Sequence, residues 1–206
     1  MDLRVYSSDS GSAAIVVAHG AGAGQTSPFM VRTAQGLAAR GIHAATFDFD
    51  YMAQRKRVPD RPAILEARWR DAIDAARNRF DGLPLFIGGK SMGGRIASQV
   101  AAQGVTSVAG LVFLGYPLHP PGRPEQRRDA HLPRITAPML FVQGSRDAFG
   151  TADEIRALLP RLEHATLHEI AGGDHSFKVS GRGAPKPDAV LNAALDTVAQ
   201  WISTLI

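Results

Sequence analysis

Short unbroken apolar runs alternate along this chain with longer stretches in which apolar residues recur every three or four positions. Ala13–Ala18 (AAIVVA), Leu85–Ile87, Val108–Leu114 (VAGLVFL) and Met139–Val142 are apolar on both of the faces that a strand presents, and Ile42–Phe49 and Ala165–Ile170 are strand-like runs that polar residues interrupt. Between them the spacing predicts helices over 26–40, 63–80, 92–103, 152–159 and 188–205; Gly41 supplies the stop of the first. Strands without a polar face, each followed by a helix, predict a parallel sheet covered on both sides. The expected architecture is a single three-layer α/β domain spanning 1–206, with a mostly parallel sheet of six to seven strands. Chemistry on such a sheet lies beyond the carboxyl ends of the strands. Attention therefore goes to the loops that begin at His19, Asp50, Gly88, Gly115, Gly144 and Ala171.

Composition narrows the chemistry. The 206 residues are 45% hydrophobic and 20% charged, and none is cysteine. Disulfides, a thiolate nucleophile and cysteine metal ligation are excluded. No apolar run has the length of a membrane helix, and the first residues lack the apolar core of a signal peptide, so a soluble cytoplasmic protein without membrane association is expected. The formal net charge is +4, and 19 of the 23 cations are Arg. They are scattered, apart from Arg55-Lys56-Arg57 and Arg127-Arg128, and no zinc-finger or RNP pattern accompanies them. Nucleic-acid binding is not expected.

The loop after Leu85–Ile87 contains Gly89-Lys90-Ser91-Met92-Gly93, a G-x-S-x-G between a strand and a helix. A sharp turn there holds the serine in a strained backbone conformation and exposes its hydroxyl over a helix N-terminus. Ser91 is the candidate nucleophile. Its base should come from another strand-tip loop, and His175 follows the last strand in Gly172-Gly173-Asp174-His175. His168 lies within that strand and His164 before it. The orienting carboxylate is assigned to Asp147, after Met139–Val142; Asp174, adjacent to the histidine, is poorly placed to face its ring edge, and Asp153 and Glu154 are further competitors. The chain order Ser, Asp, His is the one used on this sheet architecture. Oxyanion donors are expected at the backbone N–H of Met92 and, from the loop after the first apolar run, of Ala21. Gly20-x-Gly22-x-Gly24 does not fit a dinucleotide loop, and no P-loop ending follows. His19 is expected to hold that loop structurally.

These residues together resemble the α/β-hydrolase superfamily. Pro28-Phe29-Met30, Phe47-Asp48-Phe49-Asp50-Tyr51-Met52, Gly89-Lys90-Ser91-Met92-Gly93-Gly94-Arg95, the Gly115–Gly122 segment and Gly144-Ser145-Arg146-Asp147-Ala148-Phe149-Gly150 look like one branch of it. That branch comprises small bacterial hydrolases and is similar to the testis-expressed protein 30 family and to the hydrolase-like subunit of the NSL histone acetyltransferase complex. More distantly the chain is similar to dienelactone hydrolases, whose cysteine nucleophile it lacks. The resemblance places the triad on Ser91, Asp147 and His175 and leaves the substrate open.

The segment 115–133, where this superfamily inserts a lid, is short and rich in Pro and Arg, so the cap should be minimal or absent. Gly22, Tyr51, Tyr116 and His119 are expected near the mouth, with Leu118 beside them. Lys90 either attracts an acidic group of the substrate or, with Arg95, pairs with local carboxylates. Arg55-Lys56-Arg57 is either a solvated surface or a site for an anionic acyl portion. The expected function is a serine hydrolase acting on a small ester or thioester, without metal or organic cofactor, as a monomer or homodimer. The alternative is a catalytically weak or inactive interaction module built on the same fold.

Overall fold

A computed structural model describes residues 1–104 and 108–206. Among the described residues seven strands form one sheet: β1 (Arg4–Tyr6), β2 (Ala13–Ala18), β3 (Ile42–Phe47), β4 (Leu85–Lys90), β5 (Gly110–Leu114), β6 (Met139–Gly144) and β7 (Ala165–Ile170). Their order across the sheet is β1-β3-β2-β4-β5-β6-β7. All neighbours are parallel except β1 and β3. β1 is the strand that the apolar pattern does not signal. It is a three-residue edge strand, partly exposed, with too few alternations to carry a period.

The helices are α1 (Pro28–Ala38), α2 (Asp50–Ala53), α3 (Pro62–Arg79), α4 (Met92–Ala102), α5 (Ala152–Arg156) and α6 (Pro187–Ser203). Proline at the first helical turn starts α1, α3 and α6, where its missing N–H costs no hydrogen bond. A capping box on Thr151 and Glu154 starts α5. The alternate residues of the central strands feed two separate cores. Val16, Ile87 and Phe113 pack with Trp69 of α3, Ile96 of α4 and Ile155 of α5. Ile15, Val112 and Val142 pack on the other face with Met30 of α1 and Leu195 of α6. This is the expected three-layer arrangement.

The chain leaves β2 toward β3 on one side and returns to β4 on the other, so the sheet's switch point lies between β2 and β4. A crevice opens at such a point beyond the carboxyl ends of the strands. The loops after β2 and β4 both border it. Segment 115–133 makes no multi-helix cap; its one regular element is a single 3₁₀ turn at Leu132–Arg134.

Candidate active site

Ser91 sits between β4 and α4 with φ 51° and ψ −117°, a region that non-glycine residues avoid. The elbow packs tightly because the residues two before and two after the serine have no side chains. A Cβ on Gly89, at φ 156°, would lie 2.3 Å from the Ala18 carbonyl oxygen, and one on Gly93 would lie 2.4 Å from the same oxygen. Both glycines let the elbow press against the end of β2. Trp69 Nε1 ties α4 down by donating to the Gly93 carbonyl at 3.0 Å.

His175 Nε2 lies 2.9 Å from Ser91 Oγ, and His175 Nδ1 lies 2.7 Å from Asp147 Oδ2. Asp147 is 1% exposed. Because a carboxylate only accepts, the imidazole proton belongs on Nδ1, leaving Nε2 to accept from the serine hydroxyl. Asp147 is itself held: Gln143 Nε2 donates to Oδ2 at 2.9 Å and the Phe149 N–H to Oδ1 at 2.8 Å. The Phe149 ring lies against the imidazole, with centroids 4.2 Å apart. Gln143 also bridges the Gly150 carbonyl (2.6 Å) and the backbone N–H of Tyr116 (2.7 Å). It joins the ends of β5 and β6 around the acid. The rival carboxylates are engaged elsewhere. Asp174 accepts from the backbone of Ser176 and Lys178 to shape the histidine loop, Asp153 pairs with Arg156, and Glu154 pairs with His119 while closing its capping box.

Among the described residues neither the Ala21 nor the Met92 backbone N–H has a hydrogen-bond partner. The loop that carries Ala21 runs against the elbow: a Cβ on Gly20 would stand 3.5 Å from Ser91 Cβ. His19 is fully buried below it, donating from Nδ1 to the Gly20 carbonyl (2.7 Å) and accepting at Nε2 from the Phe49 N–H (3.2 Å). Burial pushes its pKa down, which suits a neutral, structural imidazole.

Gly22 and Lys90 line the cleft at Ser91, which measures about 480 Å³ and is otherwise bordered by Ala21, Pro28, Phe29, Met30, Phe149 and His175, among others. No residue of 115–133 borders it. Three expected mouth residues are elsewhere. Tyr51 belongs to α2 and is fully buried, its hydroxyl donating to the Ala21 carbonyl at 3.0 Å; burial and the Asp48 and Asp60 carboxylates push its pKa up to about 12. Tyr116 is buried against Phe113 and Phe141, its hydroxyl donating to the Arg128 carbonyl. His119 is 5% exposed and hydrogen-bonds Glu154 at 3.1 Å; Leu118 is buried beside it. In each case the apolar body of a polar side chain is worth burying once its polar tip finds a partner. Lys90 does not meet a carboxylate. Its ammonium donates to the His175 carbonyl and lies over the Phe177 and Phe29 rings at 5.1 and 5.7 Å. Burial lowers its pKa to about 8, opposed by the charges of Asp147 and Asp174. Arg95 likewise reaches an amide, that of Gln99, rather than an acid.

The profile of the alpha/beta hydrolase domain matches residues 11–203. The chain belongs to that family. Solved structures carry the same fold as this α/β hydrolase-family protein. Est1E from Butyrivibrio proteoclasticus, with ferulic acid bound, superposes with a TM-score of 0.78 at 13% identity, over 99% of this chain and 94% of that one. A dienelactone hydrolase from Anabaena variabilis gives 0.76 at 22% identity, over 99% and 91%. A serine hydrolase without lid from Xanthomonas campestris gives 0.75 at 19% identity, over 97% and 88%. Among the described residues no helix is long and apolar enough to cross a membrane, and no three His, Asp or Glu side chains cluster as metal ligands would.

Gln143 is a contributor to the site outside every quoted motif, and Phe29 and Phe149 stand in segments that carry the family resemblance but have no role assigned to them. Gln143 did leave a trace in the sequence: it is the one polar residue in the strand MLFVQG.

Proposed function

We propose that this α/β hydrolase-family chain is a serine hydrolase that cleaves a small ester or thioester through an acyl-enzyme. The observation that carries the reading is the unbroken line from Ser91 Oγ through the His175 ring to the buried Asp147, opening on the cleft beside an N–H that nothing else among the described residues uses. Ser91 Oγ attacks the substrate carbonyl carbon while its proton passes to His175 Nε2. The oxygen that becomes negative is held by the Met92 and Ala21 N–H groups. Collapse breaks the bond to the alcohol or thiol, which leaves with the proton from His175. Water then gives its proton to His175 and attacks the acyl carbon, and the freed acid leaves Ser91 protonated again. Asp147 keeps the imidazole in the required tautomer and balances its transient charge. The uncovered cleft favours small and medium acyl groups.

Labelling with a fluorophosphonate probe tests the assignment. Wild type should be labelled and Ser91→Ala should not. Labelling that survives the substitution removes Ser91 from the role. A wild-type protein that is never labelled favours a non-catalytic interaction module on this fold.

A further inference from the structure

A second groove, of about 370 Å³, shares Ala21 and Gly22 with the cleft and is otherwise lined by Met52, Arg55, Lys56 and Arg57. We propose that this groove is a subsite for an anionic group, a carboxylate or a phosphate, carried by the same substrate whose carbonyl reaches Ser91. The assignment deepens the serine-hydrolase reading and rests on it for the position of that carbonyl.

Four observations support it. The wall common to both hollows is the loop that bears the candidate oxyanion donor, so one molecule can lie across it. The three cations are not neutralised from within: among the described residues none of Arg55, Lys56 and Arg57 forms an ion pair. The acids of the neighbouring sequence are committed elsewhere. Asp48 accepts from Gln25, Asp50 pairs with Arg68 at 3.2 Å, and Asp60 accepts the Tyr51 N–H. Finally, the basic turn is fixed to the site. Lys56 N–H donates to the Tyr51 carbonyl at 2.7 Å, and the Tyr51 hydroxyl grips the Ala21 carbonyl. Arg55 has φ 57°, and the other described non-glycine residues at positive φ, Ser91 and Phe177, belong to the elbow and to the histidine loop. A long side chain held in that conformation is costly and persists where the surroundings impose it. All three side chains are exposed, so what they offer an anion is the summed field of adjacent like charges rather than burial, and that field weakens as salt rises.

The test separates this proposal from the hydrolase reading by measuring binding to Ser91→Ala protein, which has no nucleophile. Calorimetric titrations compare two length-matched pairs of esters. Mono-4-nitrophenyl glutarate against 4-nitrophenyl valerate places the anion on the acyl side, and 3-carboxyphenyl valerate against phenyl valerate places it on the leaving-group side. In at least one pair the anionic ester should bind about 10-fold more tightly at low salt, and the advantage should shrink at about 0.5 M salt. It should vanish when Arg55→Gly, Lys56→Gln and Arg57→Gln are added, glycine being chosen because it tolerates the positive φ. With Lys56→Glu and Arg57→Glu it should reverse, and unchanged melting temperatures show that these variants are folded. Competition by inorganic phosphate against acetate tells which anion the groove prefers. Equal affinities in both pairs, or an advantage that survives neutralisation, overturns the subsite. A binding preference that persists while wild-type protein hydrolyses none of the four esters leaves the subsite standing and sinks the esterase reading instead.

Discussion

Replacing Gly93 by alanine sets two effects of opposite sign against each other. Gly93 is the second residue of α4, and alanine is favoured over glycine within a helix by about 1 kcal/mol. Helix propensity alone therefore predicts a more stable protein. The added Cβ, however, would stand 2.4 Å from the Ala18 carbonyl oxygen, 2.6 Å from that of His19 and 2.7 Å from the Ala18 carbonyl carbon, where ordinary contact begins at 3.4 Å. All three atoms are backbone at the end of a central strand paired on both sides, so none can swing away as a side-chain tip would. Overpacking of this kind costs about 1–3 kcal/mol, and the rigidity of the neighbours puts this case at about 3. The net expectation is about 2 kcal/mol of destabilisation, or a fall in Tm of about 4–8 °C for a domain of this size. Activity should fall further than stability. Relief of the clash moves the start of α4, and with it Ser91 and the Met92 N–H; a displacement near 1 Å costs about 100-fold in kcat/KM. Gly22→Ala is the control for stability, since no atom lies within 4 Å of the point its Cβ would occupy and its φ is ordinary. Thermal melts and ester turnover of the two variants decide the matter. A Gly93→Ala protein that melts at or above the wild-type temperature would refute the steric argument.

Other substitutions probe the hydrogen bonds and the charges. Every contact to the Asp147 carboxylate comes from a donor (His175 Nδ1, Gln143 Nε2 and Phe149 N–H), so either orientation of an asparagine turns an NH₂ toward an N–H; Asp147→Asn should lower kcat/KM by about 10³–10⁴ and reduce the urea midpoint. The Lys90 pKa falls from 10.5 to about 8 on folding, so the unfolded chain binds the extra proton between those values and stability should rise with pH across that window. Lys90→Met should flatten the rise in urea midpoints, and an unchanged slope would dissociate it from Lys90. His131 is held down to about 4, chiefly by burial and then by the Arg134 and Arg95 charges, while its Nε2 lies 2.7 Å from Ser98 Oγ. The unfolded chain therefore takes up a proton near 6.5 that the native state refuses, and stability should decline from pH 6.5 toward 4; His131→Gln should remove that part of the decline. A chain-length series of 4-nitrophenyl esters should peak at short or medium acyl groups, and a marked preference for long chains would contradict an uncovered cleft.

Ser91, Asp147 and His175 could be picked out of the sequence because each stands in a short polar or glycine-rich break directly after an apolar run. In a parallel sheet those breaks all meet at one end, so chain distances of tens of residues become contacts. The layers were legible for the same reason: strands buried on both faces leave an unbroken apolar signature. The mouth was not legible. Tyr51, Tyr116 and His119 also follow strand tips, but whether a polar aromatic side chain turns outward or inward depends on whether a partner waits inside. The Ala21 and Arg128 carbonyls and the Glu154 carboxylate that decide this are 30, 12 and 35 residues away in the chain. β4 illustrates a milder limit. Its apolar run ends at Ile87, yet ladder pairing carries the strand to Lys90, because glycines at 88 and 89 are demanded by the close approach of Val112 and Ala18 rather than by a turn.

Lys90 is the residue before Ser91, and its ammonium holds the backbone of His175. The imidazole is thus moored at both ends, by its ring to Asp147 and by its own peptide carbonyl to a side chain rooted next to the serine. Motion of the outer strands β6 and β7, which carry the acid and lead into the histidine loop, would otherwise open the gap between serine and base. With the mooring the two partners ride on one support, and the distance that matters most is set by a single short bridge instead of by the accumulated flex of half the sheet.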